Sequence, residues 1–156
     1  MKFPQERKVE DGVQPFLDDG ERLVVAIIAR PRGSTQSTTG SAPLGTAQQQ
    51  EARAAADQAG LRLANPMALA LTQKRVLTFR ISTPIGFGIG GSVQELVGAV
   101  AISDTDAIDV TRLILGFVVT VTVRGIPIKL EAGGLSSAKR LAAEFNRLRV
   151  VQHPAA

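Results

Sequence analysis

Residues 117–131, FVVTVTVRGIPIKLE, constrain the fold more than any other stretch. Apolar side chains alternate strictly at Phe117, Val119, Val121 and Val123, and resume at Ile126, Ile128 and Leu130. A period of two with β-branched residues is the pattern of a half-buried strand. With Arg124-Gly125 as a two-residue turn, Val123 faces Ile126, Val121 faces Ile128 and Val119 faces Leu130. All of these side chains then share one face, and a slip of one residue would turn that face to water. The rest of the chain must supply the elements that cover it.

The stretches on either side supply more strands. Residues 22–30, RLVVAIIAR, read as a strand apolar on both faces and ended by Pro31. Residues 67–82 read as a hairpin turning at Gln73-Lys74, so that Leu71 faces Val76, Ala70 faces Leu77 and Ala68 faces Phe79. Small opposite large is how a sheet face interlocks. Residues 93–102 form a strand, with a short helix over 93–100 as the alternative; 104–106 form a turn, and 107–115 a strand that turns at Leu115-Gly116 into the Phe117 strand. Between the first strand and the hairpin, residues 34–43 read as a Ser/Thr/Gly-rich mobile loop. Residues 46–59 follow as an Ala-rich helix capped by Thr46 and ended by Gly60. Ser137 opens a C-terminal helix whose stripe is Ala138, Leu141, Ala142, Phe145 and Leu148. The expectation is a mainly β (α+β) domain of about seven antiparallel strands, because a meander this long must hide its edges by closing or folding over. Residues 1–20 are a polar N-terminal extension with a short helix, 21–150 the domain with an insertion at 31–62, and 151–156 a tail.

At 156 residues this is a single domain of ordinary globular composition, 44% hydrophobic and 21% charged. The absence of Cys excludes disulfides and thiolate chemistry, and the single His, His153, excludes a His-rich zinc site. The first residues, MKFPQERKVEDG, have no apolar centre and are no signal peptide, and no apolar run is long enough to span a membrane. The expectation is a soluble, cytoplasmic protein. A net charge of +4 and a pI of about 10.1 favour anionic partners. Yet Trp and Tyr are absent and only 6 Phe are present, which speaks against a stacking platform for nucleic acid.

The hairpin LALTQKRVL at residues 69–77, the segment 119–130 ending in RGIPIKL, and the C-terminal helix together resemble the bacterial PH-like (pleckstrin-homology-like) domains. The likeness is closest to uncharacterised actinobacterial proteins with an LALT-x-x-R segment followed by two apolar residues. It spans residues 20–150 apart from 31–62. It implies a partly open barrel with a C-terminal capping helix and an inserted loop and helix. In some members the loop after the first strand and neighbouring hairpin tips hold phosphoinositide headgroups. That makes Arg32, Lys74 and Arg75, with Arg30, a candidate basic rim. The spaced lysine and paired basic residues of the headgroup pattern are not reproduced. Fold alone carries no activity.

Four further patterns bear on chemistry. Gly86, Gly88 and Gly91 match G-x-G-x-x-G, but a dinucleotide site needs a helix after the motif, and a strand is expected there. The apolar Phe87 and Ile89 inside that loop make it the candidate contact loop. Ser136-x-x-Lys139 matches S-x-x-K without its partner motifs, so both serines are better read as helix caps. Asp104, Asp106 and Asp109 lack the spacing of a calcium loop and read as a solvated turn. The functional expectation is a non-enzymatic binding or scaffold domain with no cofactor and no metal, whose partner is another protein or a second copy in a homo-oligomer. The alternatives are binding of an anionic membrane or polyanion through basic loops, and a nucleotide-dependent enzyme acting through residues 86–91.

Overall fold

The computed structural model describes residues 4–34, 42–85 and 90–152. Seven strands form one antiparallel sheet: β1 (Leu23–Pro31), β2 (Met67–Thr72), β3 (Arg75–Ile81), β4 (Val93–Ala101), β5 (Thr105–Arg112), β6 (Gly116–Val123) and β7 (Ile126–Gly133). Their spatial order is β4-β3-β2-β1-β7-β6-β5, so the sheet is not closed and β4 and β5 are its edges. Among the described residues three helices of two turns or more accompany it: α1 (Pro4–Val13), α2 (Ala42–Ala59) and α3 (Ala138–Gln152). The architecture is the expected mainly β one, an open sheet with a C-terminal helix.

β1 joins the two halves. Val25 to Ala29 pair with Leu71 to Met67 of β2, while Ala29 to Pro31 pair with Ala132 to Leu130 of β7. The expected hairpin registers hold. Val123 meets Ile126, Val121 meets Ile128 and Val119 meets Leu130. Leu71 meets Val76, Ala70 meets Leu77 and Ala68 meets Phe79. Arg124 (φ 47°) and Gly125 (φ 80°) both take the left-handed conformation that a two-residue hairpin turn demands. The inward faces of both halves, including Val25, Ile27, Leu69, Val119, Val121, Ile128 and Leu130, make one core. α3 covers the sheet's opening with Ala138, Leu141 and Phe145, all buried there.

A second core lies on the opposite face. Ala26, Ala68, Ala70, Leu77, Phe79 and Ile81 point away from the barrel interior, and Val9 and Val13 of α1 pack on them. Phe16 meets Phe79 edge-on at 5.4 Å. Residues 4–16, a polar extension by sequence, are therefore part of the packed fold. This also explains why β1 is apolar on both faces.

The segment between β1 and β2 is packed as well. α2 begins at Ala42, four residues before the expected Thr46 cap, with Pro43 in its first turn, where a missing N–H is harmless. Thr46 is helical and exposed rather than a cap. The helix ends as expected at Gly60 (φ 81°), where Leu61 N–H donates to Ala56 O and Gly60 N–H to Asp57 O. That pair of bonds satisfies the last carbonyls and turns Leu61 into the core. Ala52, Ala56 and Ala59 are buried, so the Ala face packs closely. Of the expected 34–43 loop, residues 35–41 lie outside the described residues. Ser34 is buried, donates to Pro31 O at 2.6 Å and accepts from Asn65.

Two further boundaries differ from expectation. Residues 93–101 are a strand and not a helix. The turn expected at 104–106 is a short 3-10 segment, Ile102–Asp104, and β5 already begins at Thr105. At its other end β5 stops at Arg112, so Leu113, Ile114 and Leu115 belong to the loop and not to the strand.

Candidate functional site

The proposed basic rim does not assemble. Arg32 follows the last residue of β1, whereas Lys74 and Arg75 come just after Thr72, the partner of Leu23 at its first. The nine residues of β1 separate them by roughly 25–30 Å of extended chain. Two of the three cations are also already bound. Arg32 pairs with Glu131 at 3.0 Å, and Gly33 N–H donates to the same carboxylate at 3.2 Å. Arg75 donates from Nε and Nη2 to Glu21, at 2.9 and 2.7 Å. Glu21 is buried and also accepts from Asp18 N–H and the Thr72 hydroxyl. The Arg75 hydrogen bond, helped by those two donors, outweighs burial and holds the Glu21 carboxyl at about 2, well below its usual 4.5. Arg75 is a structural latch, and Lys74 is an exposed turn residue. Arg30, grouped with the same rim, has no carboxylate partner among the described residues.

The other motifs resolve similarly. Phe87 and Ile89 of the candidate contact loop, with Gly86 and Gly88, lie outside the described residues. The neck of that loop is closed: Gly91 N–H donates to Ser82 O, and Ser82 N–H to Ser92 O. The Gly91 N–H is thereby occupied, and β4 rather than a helix follows it. A dinucleotide fingerprint would need that helix. Asp104 and Asp106 do more than face solvent. Asp104 pairs with Arg124 at 3.3 Å, and Asp106 accepts from Gly125 N–H at 2.7 Å, so both hold the β6–β7 turn. Among the described residues no group of three acids or histidines could hold a metal ion. The Ser136 hydroxyl accepts from Ala138 N–H and caps α3. Ser137 precedes the helix as expected, but its hydroxyl and its N–H donate to Glu6 of α1, at 2.9 and 3.1 Å.

Two concavities among the described residues bear on function. One is an open cleft of about 750 Å³ between α2 and the outer face of β6 and β7, with Gln48, Glu51, Thr120 and Lys129 in its walls. Glu51 is the carboxylate among its lining residues, with Lys129 and Arg32 as the cations. The other, about 320 Å³, lies between α1, β1 and the β7–α3 loop, and Arg30, Pro84 and Leu135 line it.

The surface feature that stands out is apolar and lies beside this second cavity. Arg112 and Phe117 are the last pair of the β5–β6 ladder. Leu113 N–H donates to Gly116 O at 2.8 Å and closes the loop. Ile114 and Leu115 are carried past the core, 94% and 88% exposed. Leu135 of the β7–α3 loop, 75% exposed, adjoins them, because a Cβ on Gly134 would stand 3.4 Å from Leu115 O. Gly116 permits the close approach beneath, since a Cβ there would meet Ala132 O at 2.4 Å. Ile85, next to Pro84 in the cavity wall, is equally exposed. The Arg112 guanidinium lies over the Phe117 ring, 4.8 Å from its centre, at the base of the tip. Sequence reading missed this surface because LIL continues the strand pattern of β5. The signal was Gly116, which lets the turn close early.

Comparison with protein-family models, with curated proteins and with solved structures finds no match for this chain. Among the described residues no helix is long and apolar enough to cross a membrane.

Proposed function

We propose that this chain is a non-enzymatic PH-like binding domain that meets a macromolecular surface through the end formed by the β5–β6 tip and Leu135. The observation that carries the reading is the near-complete exposure of Ile114 and Leu115 on a hairpin closed at its base by the Leu113–Gly116 hydrogen bond. Large adjoining apolar side chains in water mark contact surfaces. The packed interior supports recognition by loops rather than by a buried pocket. The PH-like family assignment rests on the LALT-x-x-R hairpin, the RGIPIKL strand and the helix that covers an open seven-stranded sheet.

The competing reading is nucleotide-dependent chemistry at residues 86–91. Thermal denaturation with and without NAD or ATP separates the two. We expect no shift in melting temperature. A saturable stabilisation at micromolar nucleotide, abolished by Gly91→Ala in a variant that still folds, would replace the binding-domain reading.

A further inference from the structure

We infer that the cavity between α1, β1 and the β7–α3 loop binds a small organic monocarboxylate, its carboxylate on Arg30 and its apolar body against Ile28, Pro84 and Leu135. This goes beyond the binding-domain reading and does not depend on it.

The alternation of β1 sets the site. Ala26 and Ile28 face the outer core that α1 covers, and Arg30 continues that row. Arg30 is half-buried in the cavity wall, yet its guanidinium makes no hydrogen bond or ion pair among the described residues. An arginine side chain offers donors only and keeps its proton, so shielding it without an acceptor is costly. The carboxylates nearby are committed elsewhere. Glu131 is the register partner of Arg30 on β7, but it takes Arg32 at 3.0 Å and Gly33 N–H at 3.2 Å. Glu6, in the wall of the same cavity, takes the hydroxyl and the N–H of Ser137. The fold therefore leaves the Arg30 charge for an acceptor from outside.

The walls select the class of ligand. Arg30 is the one cation among the described lining residues, and the Glu6 carboxylate stands in the same wall. That balance suits a single negative charge and disfavours a dianion such as phosphate, because like charges set together are costly. The planar guanidinium matches a carboxylate bidentately. Ile28, Pro84 and Leu135 supply an apolar surface for the rest of the molecule. A volume of about 320 Å³ is at the lower end of ligand sites, which suits a short acid and not a long acyl chain.

The test is isothermal titration of the whole protein with octanoate, and with octanol, acetate and inorganic phosphate for comparison. Wild type should bind octanoate at a single saturable site and each of the others at least ~10-fold more weakly. Octanol lacks the charge, acetate lacks the apolar body, and phosphate carries too much charge. Arg30→Gln should lose at least ~10-fold in octanoate affinity, yet without ligand it should melt no lower than wild type, because it removes an unpaired charge. Leu135→Asp, at an exposed position, should also weaken octanoate, by adding a second negative charge to the wall. The double variant Ile114→Ser, Leu115→Ser should bind octanoate as wild type does. The inference is overturned if octanoate does not bind at millimolar concentration, if octanol or phosphate matches it, or if Arg30→Gln or Leu135→Asp keeps full affinity. A melting temperature lowered by Arg30→Gln also overturns it, since Arg30 would then be a structural residue. Loss of octanoate binding in the tip variant overturns it too, because the acid would then sit on the exposed apolar end and not in the cavity.

Discussion

Glu21 and Arg75 lie 54 positions apart and form a two-pronged charge pair whose Glu21 carboxylate is fully buried. Sequence reading assigned Arg75 to a basic rim because its neighbours in sequence are a lysine and a turn. The partner that decides its role is remote, and adjacency carries no trace of it. The pair has a measurable consequence. Folding lowers the Glu21 carboxyl from 4.5 to about 2, so the unfolded chain takes up its proton first as acid is added. The stabilisation is complete above about pH 4.5 and is lost as the pH falls towards 2. Denaturant titrations across that window should show wild type losing stability more steeply than Glu21→Gln. At neutral pH the substitution should cost on the order of 1.5–3 kcal/mol, the worth of hydrogen bonds to a charged group. Equal pH profiles would mean that the pair is not formed. A second residue-scale test concerns Gly98. A Cβ there would meet Thr78 Oγ1 at 2.6 Å and Arg62 N at 2.7 Å. Backbone cannot yield as a flexible side chain can, so Gly98→Ala should destabilise by about 1–3 kcal/mol in thermal or denaturant melts.

Elements were legible wherever their period was unbroken. The β6–β7 register followed from alternation alone, and the Gly60 end of α2 from one residue whose left-handed φ other residues resist. What could not be read was which faces meet. Ala70 and Leu77 were paired correctly, yet the side of the sheet they occupy depends on α1, which looked polar. Its apolar residues are few, but Val9 and Val13, with Phe16 in the 3-10 turn that follows it, stand at i, i+4 and i+7. That spacing was the available signal, and Val9 and Val13 are both buried. Val13→Ala should therefore cost about 1–3 kcal/mol in denaturant melts, while Arg7→Ala on the exposed side of the same helix should change little. Similar losses at both positions would mean that α1 is not packed by its Val face. The candidate site was less legible than the fold. Leu113, Ile114 and Leu115 carry strand-like side chains, and only the early closure at Gly116 places them outside the ladder.

At the scale of the whole molecule, the two cores share the sheet but are covered by different ends of the chain. α3 packs on the inner core and α1 on the outer one. Glu6 of α1 accepts two hydrogen bonds from Ser137 at the start of α3, so the two covers are tied together. A carboxylate at a helix N-terminus is also favoured by the helix dipole. Removing residues 1–16 should thus act on both cores. It strips the apolar cover from Leu77, Phe79 and Ile81 and releases the first turn of α3. The shortened chain should melt well below wild type, bind a dye that reports exposed apolar surface, and lose amide protection in α3 as well as in β3. Glu6→Gln separates the two effects, because it keeps the apolar cover and weakens only the tie. It should lower protection at the start of α3 without increasing dye binding. If the shortened chain loses protection only in β1 to β3, the two cores are independent, and the contact between Glu6 and Ser137 does not couple them.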